Sequence, residues 1–364
     1  MKNKIKIGIT GLGGFGIVCS HALDMSDKAE IIAIQTRNKE KIKKYSKEFN
    51  AKGYSNYEEM IKNEKLDAVC ITTPQHIHSE QAIKAMNLGL HVFCTKPMAL
   101  TIKEADKMID TAKKNNVNLD IGFHYRYDEQ IKKIRELVKA DEIGTPFYTI
   151  SSIQSFRGAE YWESGPWRKD PKYSGGGAIT LNYSHDIDFL QWYFGEVKWI
   201  IGSTESMVHN NDVEDVANAI IKFKNGVISN FTCSTATYST KSPRLEIFGT
   251  KGVISLVTTE SKDPKLPYPT TKIIIHKNGK WRTIKMSESS NLVKKWENKL
   301  MPWTAPLKGL ASIESLDNNI NEFLKCIINN KPPIIDGKEG KKSLAIINAI
   351  YESSKTGKRI SIKG

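Results

Sequence analysis

The sequence predicts an α/β protein in two parts: a doubly wound parallel sheet first, then a second α/β domain on a large, mainly antiparallel open sheet. Three observations carry this. Through the first third, short apolar runs alternate with amphipathic stretches at helical spacing, the pattern of parallel strands joined by helical crossovers. Beyond about residue 123, turn signals of hairpin type fall between apolar runs instead. A chain of 364 residues also exceeds the size at which one core stops growing. The expected division is 1–122 and 123–364, with the last helix packing back on the first part.

Taken in order, Ile5 to Thr10 reads as a strand, Phe15 to Met25 as a helix and Ala29 to Ile34 as the second strand. Lys39 to Phe49 is helical, and Asp67 to Thr72 is a near-continuous apolar strand. A helix over Ser79 to Leu88 ends at Gly89, which suits a C-terminal cap. His91 to Cys94, Ile102 to Lys114 and Asn118 to Gly122 give strand, helix and strand. This is the doubly wound order. In the second part, Asn225-Gly226 and Asn278-Gly279 each mark a two-residue turn that wants positive φ. Thr250-Lys251-Gly252 joins strands Leu245 to Phe248 and Val253 to Leu256. Ile313, Leu316, Ile320, Phe323, Leu324 and Ile327 share one helical face, and Leu344 to Tyr351 predicts a final helix. The Lys/Ser/Pro-rich stretch from Glu260 to Thr271 is the expected mobile loop.

Bulk properties remove several classes. The net charge is +14, from 54 basic and 40 acidic residues, but the lysines are dispersed rather than focused on one face. Nucleic acid is therefore not an expected partner, and a mild attraction for anionic ligands is. No apolar run has the length to span a bilayer, so no membrane partner is expected. The N-terminus lacks the apolar core and cleavage site of a signal peptide, and the expected location is cytoplasmic. Five scattered cysteines without a close pair predict reduced core thiols and no structural metal.

The first chemical motif is Gly11-Leu12-Gly13-Gly14-Phe15-Gly16, directly after the first strand and opening the first helix. In that setting Gly11 permits the tight turn, Gly13 lets backbone approach a pyrophosphate, and Gly16 allows close helix–strand packing. Gly14 and Phe15 lie at the helix N-terminus, whose amides and dipole favour the phosphates of a dinucleotide. The second strand ends Gln35-Thr36-Arg37-Asn38, with no carboxylate until Glu40. An acidic residue there would hold a ribose 2′-hydroxyl and repel a 2′-phosphate. Thr36 and Arg37, with Lys41, could instead bind a 2′-phosphate, so NADP is favoured over NAD. Arg37 stacking on adenine beside NAD is the alternative.

Further motifs follow in order: Thr72-Thr73-Pro74-Gln75-His76-Ile77-His78, Gly89-Leu90-His91-Val92-Phe93-Cys94-Thr95-Lys96-Pro97, Trp167-Arg168, Gly175-Gly176-Gly177 and Ser184-His185-Asp186-Ile187-Asp188. Together they resemble the glucose–fructose oxidoreductase, inositol dehydrogenase and MocA family over nearly the whole chain. The resemblance implies a Rossmann domain and a C-terminal α/β domain whose open sheet mediates homo-oligomerisation, as dimer or tetramer. It also implies reversible oxidation of a sugar, sugar-derivative or cyclitol hydroxyl, with hydride passing to or from the nicotinamide.

By that resemblance Lys96 matches the lysine of the family's Glu-Lys-Pro motif, a residue that meets both substrate and nicotinamide. Burial near a cationic ring would disfavour its charge and suit it to proton transfer or hydrogen bonding. A tight turn there would allow a cis Lys96–Pro97 bond. His185 matches the histidine of an Asp-x-x-x-His element and takes the general acid/base role. Two departures stand out: Thr95 replaces the usual Glu, and Leu181 replaces the usual Asp. Either Lys96 and His185 suffice, or Tyr183 or Tyr125 substitutes. A catalytically impaired sensor or partner subunit of the same fold is the alternative function. Arg126, Trp167, Arg168 and Asn182 are the remaining expected substrate contacts; Arg126, Trp167 and Arg168 would equally suit a domain interface. Gly175 to Gly177 are expected to face the substrate cleft. Thr73, Pro74 and His78 are expected at the nicotinamide end. His76 and His78, without a third ligand, make a weak metal case.

Overall fold

A computed structural model of the chain describes residues 4–238, 244–259, 270–286 and 313–362. Most of the stretch predicted to be a mobile loop, from Glu260 onward, lies outside them; Thr270 and Thr271 belong to a strand. The chain forms two compact units, residues 1–124 with 314–344, and residues 125–313 with 345–364.

In the first unit, β1 (Ile5–Thr10), β2 (Ala29–Gln35), β3 (Lys52–Tyr54), β4 (Ala68–Ile71), β5 (His91–Thr95) and β6 (Leu119–Gly122) form one sheet. Its order is β3-β2-β1-β4-β5-β6 and all five pairings are parallel. The chain reverses its direction of travel across the sheet between β1 and β4, where ligands of doubly wound folds bind. Crossovers are α1 (Gly14–Asp24), α2 (Lys39–Glu48), α3 (Tyr57–Asn63), α4 (His78–Asn87) and α5 (Ile102–Lys114). α5 starts at a full capping box, Thr101 with Glu104. Asn38 and Asn56 cap α2 and α3 through their side chains.

The first unit takes in a second segment, residues 314–344, so only the start of the last helix lies in it and the rest of that helix lies in the second unit. Nearly all of α10 (Ile313–Ile328), and the start of α11 (Gly337–Thr356), belong to the first unit. Phe323 of α10 packs at 5.8 Å on Phe93 of β5. Gly337 and Gly340 bring α11 against Leu119 and Ile121 of β6, where a Cβ would come within 2.9 Å of either side chain.

In the second unit, α6 (Glu129–Lys139) is followed by β7 (Pro146–Gln154) and two short helices, α7 (Ala159–Glu163) and α8 (Pro171–Ser174). Then come a π-helix (Ala178–Tyr183) and α9 (Ser184–Phe194). Strands β8 (Val197–Glu205), β9 (Val216–Phe223), β10 (Ile228–Ser234), β11 (Arg244–Gly249), β12 (Gly252–Thr259), β13 (Thr270–Lys277), β14 (Lys280–Thr283) and β15 (Ile360–Ser361) complete it. The sheet order is β14-β13-β12-β11-β7-β10-β9-β8-β15, antiparallel except for the central pair β7 and β10. Its alternating strands bury Ile221, Phe223, Phe231, Leu245, Ile247 and Ile275 under α9 and the second half of α11. The turns differ in chemistry. Asn278 and Gly279 both have positive φ, 53° and 72°, as a mirror-image two-residue turn requires. At Asn225-Gly226 only Gly226 does, and the Asn225 side chain accepts from the amide of Val227.

Candidate functional site

The glycine turn is built at the carboxyl end of β1. Gly11 has φ +92°, and a Cβ there would stand 2.7 Å from the backbone of Thr72 and Thr73. A Cβ on Gly16 would lie 1.9 Å from the carbonyl oxygen of Gly11. Protein packing thus explains both glycines. Gly13 differs: nothing lies within 4 Å of its missing Cβ, and no side chain caps the helix it begins. The open side of Gly13 and the exposed Gly14 leave a cradle at the N-terminus of α1, which fits a pyrophosphate.

Adjacent strands place the other groups. β1, β4 and β5 lie side by side, so Gly11, Thr73 and Lys96 follow their three carboxyl ends in a row. A hydrogen-bond chain ties the ends of β2 and β1 to the turn after β4. The hydroxyl of Thr10 donates to Gln35 Oε1 at 2.6 Å, Gln81 donates to Thr10, and Thr73 donates to Gln81 Oε1 at 2.7 Å. The Lys96–Pro97 bond is cis. Thr95 is buried and donates to the carbonyl of Ile71 at 3.1 Å, pinning β5 to β4.

His78 is held by backbone. Its ring is buried with Nε2 2.7 Å from the Thr73 carbonyl and Nδ1 3.0 Å from the Pro97 carbonyl. Both nitrogens therefore face backbone, and the ring ties the turn after β4 to the turn after β5. Burial pushes its pKa down, so it is neutral and donates to one carbonyl only.

The end of β2 presents Arg37 exposed and Thr36 half-buried. Lys41 lies on α2 yet reaches back to donate to the carbonyl of Leu12 at 2.8 Å, so its ammonium sits on the glycine turn itself. Sequence reasoning missed His124. Its ring stacks on Phe15 at 5.4 Å, and burial, then the charge of Lys96, push its pKa down to about 3. A neutral imidazole and a lysine are thus neighbours at this edge.

In the second unit, His185 opens α9 and is buried, with the ring of Tyr125 parallel at 4.0 Å. The helical run before it is a π-helix, which widens the turn and shifts which upstream side chain shares the face of His185. Asn182 leaves that run to accept from Arg157 Nε at 3.1 Å. Tyr183 is tied into the sheet by Ser155 and the carbonyl of Ser234, leaving Tyr125 as the phenol beside His185. Asp186 is a buried carboxylate next to His185 in the chain; after enclosure, its charge is the next cause holding the Tyr125 phenol up.

Arg126 and the glycine loop find partners within the second unit. Arg126 is buried and bidentate to Asp188, Nε at 2.7 Å and Nη2 at 2.8 Å, with Gln191 as a third partner. Its guanidinium is committed to the core rather than to a substrate. Gly176 and Gly177 are needed for close packing: a Cβ on Gly176 would strike the Tyr351 hydroxyl at 2.0 Å, and one on Gly177 the Glu214 carbonyl at 2.0 Å, while Gly175 and Gly176 also line a cavity with Glu214 and Tyr351. They let the loop close on Glu214, whose buried carboxylate accepts from the amides of Gly177 and Ile179 and from Tyr351. Trp167 and Arg168 are half-buried, with the guanidinium 4.9 Å from the indole.

Comparison with known proteins matches this arrangement. Residues 5–123 match the oxidoreductase family with NAD-binding Rossmann fold, and residues 131–255 the GFO/IDH/MocA C-terminal domain. Oxidoreductase P35 of Formosa agariphila is 30% identical over 77% of this chain and 84% of its own length. The chain belongs to the GFO/IDH/MocA oxidoreductase family. Myo-inositol 2-dehydrogenase of Thermotoga maritima is 24% identical over 99% of each chain. In fold, the chain is similar to the WlbA dehydrogenase of Bordetella pertussis, solved with NADH and UDP-GlcNAcA, with TM-score 0.83, 22% identity, and 100% and 99% of the two chains covered. This GFO/IDH/MocA member is thus an NAD-binding oxidoreductase of Rossmann and C-terminal α/β domains.

Proposed function

We propose that the chain catalyses reversible oxidation of a CH–OH group on a sugar, sugar derivative or cyclitol. The observation that carries this reading is the row of Gly11, Thr73 and Lys96 at the carboxyl ends of three adjacent parallel strands. A dinucleotide bound on the glycine turn supplies the hydride acceptor or donor. Gly13, Gly14, Phe15 and Gly16 hold its pyrophosphate, and Thr73 and Pro74 flank the nicotinamide end. Lys96 hydrogen-bonds the reacting hydroxyl, and His185 exchanges its proton, with Tyr125 and Asp186 fixing the ring. Relatives named myo-inositol 2-dehydrogenase and D-apiose dehydrogenase support a polyol substrate. NADP is the preferred cofactor in this reading, since Arg37, Thr36 and Lys41 present donors and no carboxylate where a 2′-phosphate would sit. A homo-oligomer built on the open sheet belongs to the same reading.

The test is calorimetric titration with NADPH and NADH, followed by a sugar and cyclitol panel. Lys96→Ala is expected to abolish turnover while cofactor affinity changes less than about tenfold, 1.4 kcal/mol. Turnover retained in that variant removes Lys96 from the mechanism. Tight cofactor binding without turnover of any polyol makes the chain a cofactor-binding sensor or partner subunit instead.

A further inference from the structure

Two arginines of the second unit are held together without a counter-charge. Arg157 follows β7 and Arg168 lies just after α7, and both are half-buried. Their guanidinium carbons lie 5.3 Å and 4.9 Å from the centre of one ring, that of Tyr161. They are therefore at most about 10 Å apart, a range at which like charges repel. The nearest-in-sequence carboxylates form no ion pair with either: Glu160 and Glu163 are exposed, and Asp170 caps α8 by accepting from the amide of Lys172. Among the described residues neither guanidinium meets any carboxylate. Arg157 donates only from Nε, to Asn182, and both its Nη groups are left over. Arg168 uses Nη1 alone, toward Ser164 and the Tyr161 carbonyl.

The contrast is with Arg126, thirty-one residues earlier, whose fork is filled by Asp188. Here the partners are neutral and orienting. Asn182 links Arg157 to the shared ring, accepting from Arg157 and donating to the Tyr161 hydroxyl at 3.4 Å. The aromatic ring and the amide fix two planar forks in place, which is how guanidinium is presented to a carboxylate or phosphate. The location is also specific. Asn182 precedes His185 by three residues on one continuous helical run. The charge of Arg157 reaches Tyr125, the ring that lies on His185.

We propose that Arg157 and Arg168 form an anion-receiving subsite, so that the substrate is a polyol carrying a carboxylate or phosphate a few bonds from the reacting hydroxyl. The assignment rests on the oxidoreductase reading above, and narrows its substrate class.

The experiment titrates cofactor-loaded protein with matched triplets in the gluco, galacto and manno series: neutral sugar, uronic acid and 6-phosphate. Binding is read by calorimetry and turnover by nicotinamide absorbance. At least one charged member is expected to bind tenfold or more tightly than its neutral parent, 1.4 kcal/mol, and whether acid or phosphate wins identifies the group. The preference is expected to shrink with added salt, and to fall toward unity in Arg157→Gln and Arg168→Gln. Arg157→Lys, which keeps the charge without the fork, should fall between. Equal binding of charged and neutral members in all three series, no binding by any charged member, or a preference that survives both glutamine substitutions overturns the subsite. The two readings separate cleanly. Charged sugars that bind with the stated preference but never exchange hydride leave the subsite and remove the proposed reaction; neutral sugars turned over without anion preference do the reverse.

Discussion

Asp120 shows how a single buried group sets a pH dependence. It lies on β6, fully buried, and accepts from Asn319 Nδ2 of α10 at 3.3 Å. Its Oδ2 and the Asn319 Oδ1 have no other hydrogen bond among the described residues. Burial, with the charges of Glu322 and Asp336, pushes its pKa well above the usual carboxylate range. A protonated Asp120 has an O–H to offer Asn319 Oδ1, so the neutral acid satisfies both atoms. In the unfolded chain the group ionises near pH 3.9. Because the folded value is the higher one, stability is complete below that pH and is lost as pH rises toward the folded value, by about 1.4 kcal/mol per unit. Asp120→Asn keeps the shape without the titration. Its melting temperature is expected to gain on the parent as pH rises from about 5 to 8; a difference independent of pH would show that Asp120 is ionised in the folded state as in the unfolded one, which removes the raised pKa. At the same scale, Arg126 and His78 show what residue type alone leaves illegible. Arginine and histidine in the right motif look like ligand contacts, but Asp188, sixty-two residues away in the chain, takes the first. Two carbonyls from separate turns take the second.

At the scale of elements, the sequence pattern marked the strands of the first sheet and the hairpins of the second because each has a period or a turn signature of its own. β3 and α3 escaped. β3 has three residues with Gly53 in the middle, and α3 is a seven-residue helix with three charged side chains, so neither carries a sustained apolar period. The π-helix over Ala178–Tyr183 escaped for another reason. Spacing arguments assume 3.6 residues per turn, so which side chain shares the face of His185 is not readable from the Asp-x-x-x-His match alone. The wide turn depends on Gly177, where a Cβ would meet the Glu214 carbonyl, and on the Glu214 carboxylate that takes the amides of Gly177 and Ile179. Gly177→Ala is therefore expected to cost more than about 2 kcal/mol of stability and to reduce turnover while leaving cofactor affinity in place. Denaturant unfolding and calorimetry check the two halves; a fully stable, fully active variant would mean that the loop is free to open.

For the whole molecule, the two units predict separable responses. The glycine turn lies wholly in the first unit, so cofactor at a hundredfold excess over Kd is expected to stabilise that unit by about 2.7 kcal/mol and to raise its unfolding temperature. Phe323→Ala removes the contact with Phe93 and should destabilise the same unit by about 3–5 kcal/mol. Scanning calorimetry with and without NADPH reads both effects. If Phe323→Ala lowers only a transition that the cofactor does not shift, α10 has been assigned to the wrong body. No local signal told this from the sequence, because the helical face of α10 is equally apolar whichever sheet it covers.

That α10 and the start of α11 complete the first unit also orders its birth on the ribosome. The strands of the parallel sheet emerge by residue 122, yet the helices that cover Phe93 and β6 are made only after residue 313. At about 5–20 residues per second, the nascent sheet waits about 10–40 s for its cover. Through that interval the flank later sealed by Phe323 stays open to water and to chaperones, while strands β7 to β14 of the second sheet are being synthesised behind it.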